Sequence, residues 1–206
     1  MMKETPEQQR RGRFEKILRD TGRQNIDYVL EDLDSWGFFE APASSQGHGA
    51  YPGGLLDHSL NVYDAAVAAR RDMIEARPDL ADELPLDSVA ITALLHDVCK
   101  ADFYRLVKKK RRNDIGVYED AEVYEIHDEN FPVGHGEKSV ILLLQSGLDL
   151  RDDEIYAIRW HMGPWNLSRD DERFYRQAAK ATPLQPLIHV ADTLASAILE
   201  RPYKTV

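Results

Sequence analysis

Four apolar, helix-like stretches of this chain carry an ionisable side chain where a core residue is expected. His58 shares a face with Leu55, Val62, Ala65, Ala66 and Ala69, whose three- and four-residue spacings define one buried side of a helix. His96 and Asp97 follow "VAITALL", His161 ends "EIYAIRW", and Asp192 lies inside "LIHVADTLASAIL", which is almost uncharged. Unpaired charge in a core is costly. A fold that buries these faces must therefore satisfy the ionisable groups, one by one or through a partner they share.

Taken singly, a histidine on an apolar face is ordinarily a satisfied core residue, and a buried aspartate a cap or an ion-pair member. Repetition on separate helices favours a single explanation. Imidazole and carboxylate both ligate divalent metals, and helical bundles build such sites in the core from facing helices.

The rest of the sequence sets the frame. With 206 residues, 43% apolar and 30% charged, the chain has a soluble globular composition and enough length for a substantial core. No apolar run approaches the ~20 residues that cross a bilayer, and "MMKETPEQQRRGRFEK" has no signal-peptide core. Cys99 is the only cysteine, so neither a disulfide framework nor a thiolate zinc site is expected, and a reducing cytoplasm is the simplest home. The net charge of −10 disfavours wrapping of long duplex nucleic acid, which needs many cations to neutralise phosphates. The tract Lys108 to Arg112 is a local exception. It reads as a solvated hairpin or loop, or as a lip that attracts a phosphorylated substrate.

No repeat, low-complexity segment or Gly/Ser linker divides the chain, and one domain over residues 1–206 is expected, mostly helical. Periodicity and punctuation place helices at about Glu7 to Asp20, Asn25 to Trp36, Leu55 to Ala76 and Asp87 to Cys99, the last with Asp87 as N-cap. Further helices are expected at about Glu137 to Ser146, Asp152 to Trp160, Asp170 to Thr182 and Leu184 to Glu200. "FFEAPASSQGHGAYPGG", from Phe38 to Gly54, reads as loop. "FYRLV" and "GVYEDAEVYEI" read as the strands of a β-hairpin around residues 103–126, with "KKKRRNDIG" between them.

The order His58, His96-Asp97, Asp192 resembles the signature of the HD superfamily of metal-dependent phosphohydrolases. "HGAYPGGLLDHSLNV", from His48 to Val62, looks like the opening segment of the subgroup that includes certain bacterial 3′-to-5′ exoribonucleases. "GHGEKS" (Gly134 to Ser139) and "AIRWHMG" (Ala157 to Gly163) resemble segments of uncharacterised bacterial and phage members. The similarity runs from roughly Ala41 to Ala197. It implies an HD-type helical bundle in which His58, His96, Asp97 and Asp192 hold one divalent ion. By the same resemblance His135 and His161 would hold a second, with Asp97 bridging the two. Lys100 would hold phosphate or orient the nucleophile, so Asp97 and Lys100 are the expected catalytic residues. Mn, Fe, Ni, Co, Zn and Mg are not distinguishable from these ligands.

Other residues have two readings each. Lys100 also suits a helix C-terminus through the macrodipole, and Glu137 reads as an early-turn acid outside the ligand set. His189, three residues before Asp192, reads as a core histidine or as a support for a ligand, the core reading being favoured. His127, beside Asp128 and Glu129, reads as solvated; His48 reads as an ordinary loop residue or as a contact to substrate; Cys99 reads as a small buried side chain. Tyr51, Trp36 and Trp165 read as core aromatics, the commoner role in a helical protein, or as candidates to stack on a base. The expected activity is hydrolysis of a phosphomonoester or phosphodiester in a nucleotide or short oligonucleotide. An HD-type di-iron oxygenase shares this ligand logic, and a non-catalytic nucleotide-binding module is a further alternative.

Overall fold

The computed structural model describes residues 4–112, 116–127, 133–165 and 167–201. Its described residues form eight α-helices and one antiparallel hairpin. The helices are α1 (Pro6–Asp20), α2 (Ile26–Ser35), α3 (Gly54–Ala76), α4 (Leu86–Leu95), α5 (His135–Gln145), α6 (Asp152–Arg159), α7 (Arg169–Ala181) and α8 (Leu184–Leu194). Strands β1 (Tyr104–Arg112) and β2 (Tyr118–Ile126) interrupt them between α4 and α5. The expected mostly helical fold with a hairpin insertion is the one observed. No helix of the described residues is long and apolar enough to cross a membrane.

Helix α4 is the axis of the assembly. Every residue from Ser88 to Leu95 is buried, as expected for a helix apolar on all sides. It packs against α1, α3, α6 and α8. Two apolar clusters fill the interior. One gathers Phe14, Leu18, Phe38, Leu55, Leu60, Ile91, Leu94 and Leu143, the other Val62, Ala66, Val89, Ala93, Leu187, Ile188 and Ala191. Helices α3 and α4 contribute to both clusters, so their polar residues fall where the clusters meet. A buried network braces this core. Glu154, fully buried, accepts from the Ser88 hydroxyl at 2.6 Å and from the Arg151 backbone N–H at 2.9 Å, and pairs with Arg23. Asp87 pairs with Arg23 at 3.1 Å and with Arg151 at 2.9 Å.

Three expectations are corrected. Helix α4 stops at Leu95 rather than Cys99; Asp97 (φ −110°, ψ 18°) leaves helical geometry and a 3-10 turn, Val98–Asp102, follows. The apolar pair Val98-Cys99 continues the periodic pattern although the α-helix has ended. Asp87 is in the first turn and not the N-cap, which is Pro85, because its carboxylate is held by the two arginines. The basic tract Lys108–Arg112 lies inside β1 rather than between the strands. Across the register it faces Glu122, Ala121, Asp120, Glu119 and Tyr118, so acids on β2 offset its charge. The expected turn residues Asn113, Asp114 and Ile115 lie outside the described residues, as do Asp128 and Glu129 beside His127. At the other end of the chain α8 gives way after Leu194 to a π-turn, Ala195–Leu199.

Candidate metal centre

The ends and faces of five helical segments converge on Asp97. Helix α3 supplies His58 from its second turn, 1% exposed. The start of α3 is set by a close backbone approach: a Cβ on Gly54 would lie 2.1 Å from the Gly49 carbonyl oxygen. His96 caps α4, and His161 follows α6; both are fully buried. His135 opens α5 and is partly exposed. Helix α5 approaches α6 closely because residue 136 is glycine; a Cβ there would lie 2.3 Å from the Arg159 carbonyl oxygen. Asp192 comes from α8.

The two oxygens of Asp97 face different groups of residues. Oδ2 lies 3.3 Å from His96 Nε2, 3.7 Å from His58 Nε2 and 2.6 Å from Lys100 Nζ. Oδ1 lies 2.5 Å from His135 Nε2 and 3.3 Å from His161 Nε2. Asp192 Oδ1 is 3.2 Å from His58 Nε2. All six candidate ligands and Lys100 are thus brought together. Among the groupings whose donor atoms lie within 4.8 Å of one another are His58–His96–Asp192, His96–Asp97–His161 and Asp97–Cys99–His135.

The ring orientations are fixed from behind. His96 Nδ1 donates to the Ala93 carbonyl at 2.9 Å, and His161 Nδ1 to the Ile158 carbonyl at 2.7 Å. A carbonyl only accepts, so each Nδ1 carries the proton and each Nε2 turns a lone pair inward. Among the described residues, the Nε2 atoms of His58, His96 and His161 are buried without a hydrogen-bond partner. Buried polar atoms are rarely left so. Three imidazole nitrogens pointed at two carboxylates fit a divalent cation by donor chemistry as well as by direction.

The electrostatics have the same centre. Burial would raise the Asp97 carboxyl, but Lys100, His96 and His135 hold it well below the usual carboxylate range. Asp192 is lowered against its burial by His58, His96 and His161. Burial opposes charge on His58, and the carboxylates of Asp192, Glu200 and Asp97 overcome it, raising the ring to about 9. His135 is likewise raised to about 9, against burial, chiefly by Asp97. Lys100 is raised against its burial by Asp97. The carboxylate hub attracts whatever cation is at hand.

Several residues stand differently from their sequence readings. Cys99 is buried, as expected, but its Sγ also lies 3.3 Å from His135 Nδ1. His189 is only partly buried and donates from Nδ1 to the His161 carbonyl at 2.7 Å, which makes it a support for that loop rather than a core histidine. The His48 ring packs 5.6 Å from that of His58. Trp36 packs against the apolar core, whereas Trp165 is exposed. Tyr51 is tied to Asp57 at 2.9 Å, its hydroxyl pushed up to about 12 by burial and that carboxylate. Glu137 pairs with Arg159 at 2.6 Å, away from the ligand set. Glu200 was not singled out by sequence; its Oε1 is 2.9 Å from His58 Nδ1.

Fold and site together define a helical protein with a buried His/Asp centre of the kind that holds divalent metals. The family model of the HD domain matches residues 55–197, more than half of the chain. The chain therefore belongs to the HD domain family, whose members are typically metal-dependent phosphohydrolases. No match was found among curated proteins or among solved structures.

Proposed function

We propose that the protein is a metal-dependent phosphohydrolase, a phosphomonoesterase or phosphodiesterase acting on a nucleotide or short oligonucleotide. One observation carries the reading: three buried imidazole nitrogens, without a hydrogen-bond partner among the described residues, converge on the carboxylates of Asp97 and Asp192. His58, His96, Asp97 and Asp192 would hold one ion, and Asp97, His135 and His161 a second. The split of Asp97 oxygens between the two histidine groups supports a bridging role. When bound, such ions activate water and neutralise charge developing on a phosphoryl group.

The chain's own residues supply the rest. His96 and His161, locked by backbone carbonyls, keep their ligating atoms in place without reorganisation. Lys100 keeps its ammonium charged and sits at the edge of the hub, where it can turn from Asp97 to a phosphate oxygen. The basic strand β1 is a weaker phosphate contact because acids face it across the hairpin. Metal analysis of anaerobically purified protein, followed by a screen of phosphomonoesters, phosphodiesters and short oligonucleotides, tests the reading. Metal-dependent release of phosphate or a nucleoside product is expected. Protein that binds no metal and turns over no phosphoester would overturn it, and oxygen uptake dependent on iron would point to the oxygenase chemistry instead.

A further inference from the structure

The His58 ring is flanked at both edges by carboxylates from the same stretch of chain. Asp192 approaches Nε2 at 3.2 Å and Glu200 approaches Nδ1 at 2.9 Å. Eight positions separate the two acids, and in an unbroken α-helix that spacing turns a side chain about 80° off the starting face. Here the π-turn Ala195–Leu199 intervenes, with the Glu200 amide bonded to the Ala195 carbonyl five residues back at 3.0 Å. A π-turn absorbs one extra residue, so eight positions act as seven. Seven residues make about two turns and return within about 20° of the same face. The distortion of α8 thus brings Glu200 round to the face of Asp192, one carboxylate for each edge of a single imidazole.

Glu200 is held for this task. Asn61, one turn after His58 on α3, donates to the same Oε1 at 3.1 Å. The Glu200 side chain is 9% exposed, and its Oε2 is buried without a partner among the described residues. Residue 200 also lies outside the matched 55–197 segment. Of the rings that face Asp97, His96 and His161 are oriented by backbone carbonyls, whereas His135 and His58 meet side chains at Nδ1, Cys99 Sγ and the Glu200 carboxylate.

We propose that Glu200 is a positioning residue of the metal centre, holding the His58 ring by Nδ1 so that Nε2 is presented to a divalent cation. The inference rests on the metal-centre reading above. A carboxylate behind a ligating histidine fixes its tautomer and strengthens it as a donor, and removal costs about 10–100-fold in metal affinity.

The test is Co(II) binding to the full chain, by chelator competition and by the visible absorption of the bound ion, for wild type, Glu200→Ala and Glu200→Gln. Glu200→Ala is expected to raise the dissociation constant about 10–100-fold and to alter the Co(II) spectrum. Glu200→Gln keeps an acceptor for Nδ1–H and is expected to lose distinctly less. Melting of the chelator-treated proteins separates a structural role, which would lower Tm while leaving Co(II) affinity unchanged. If Glu200→Ala fails to fold by circular dichroism, Glu200→Asp replaces it, its carboxylate one methylene short of the ring, with the same loss expected. A dissociation constant within about threefold of wild type in the folded variant overturns the proposal. Failure of the wild type to take up Co(II) would overturn the metal-centre reading, and the inference with it.

Discussion

The rings of His96 and His161 lie 4.8 Å apart at 72°, each just past the end of a helix and each tethered through Nδ1 to the carbonyl three residues earlier. The same local device, used twice, aims two imidazoles at one carboxylate. Because His161 Nε2 approaches Asp97 at Oδ1, at 3.3 Å, on the side of His135, it is the probe of a second ion. His161→Ala is expected to remove about one metal equivalent while the first is retained, read by elemental analysis of purified protein. Unchanged stoichiometry would establish a one-ion centre.

Asp97→Ala is expected to abolish metal retention and hydrolysis together. It also strands the Lys100 ammonium, 12% exposed and 2.6 Å from Asp97 Oδ2, without its partner. Breaking a buried pair costs about 3–5 kcal/mol, so the variant should keep its helical circular dichroism at room temperature but unfold at lower denaturant. Adding Lys100→Met should recover part of that stability without restoring metal. A variant that kept its metal and its rate would refute the bridging assignment.

Lys100→Met alone separates catalysis from metal binding. Freed of its ammonium, Asp97 should hold a cation at least as tightly. Turnover of a phosphoester should nevertheless fall about 100-fold if Lys100 contacts the phosphoryl group. Equal turnover at full metal occupancy would remove Lys100 from the mechanism.

Gly136→Ala tests the approach of α5 to α6. Its Cβ would meet the Arg159 carbonyl oxygen at 2.3 Å, an immovable backbone atom. A loss of about 1–3 kcal/mol in urea unfolding is expected, with metal affinity reduced because His135 is the next residue.

A pH dependence follows from Asp87. Burial would raise its carboxyl, but the hydrogen bond and charge of Arg23 and the charge of Arg151 hold it below the usual value. Its stabilisation is therefore complete above an unfolded pKa of about 3.9 and is lost as pH falls through the lower folded value. Asp87→Asn should cost roughly 1 kcal/mol at neutral pH, and the gap to wild type should close as pH falls through the lowered folded value. A gap independent of pH would assign the loss to packing.

His58, His96, His161 and Asp192 were legible because each spoils an apolar run, a local signal that needs no knowledge of the fold; His135, between two glycines, was reached only through the family resemblance. The helices themselves were legible for the same reason, with ends displaced where the pattern outlasts the helix, as at Val98-Cys99. Glu200 was not legible: it is eight residues from Asp192, and only the π-turn brings it to the same face. Lys108–Arg112 looked like a loop because five cations in a row suit solvent, yet the strand has an acidic partner that takes up the charge. Cys99 against His135 and His189 against the His161 carbonyl are tertiary meetings across 36 and 28 positions, with no local pattern to announce them.

The mountings of the ligands differ in kind. His58 and Asp192 stand within helices that are packed on each other, α3 against α8. His135 is the first residue of α5, and His161 lies beyond the last turn of α6. Helix termini open at lower free energy than packed helix interiors. Two ions at this centre would therefore differ in residence time, the one between His135 and His161 exchanging with solution first and the one beside His58 staying behind.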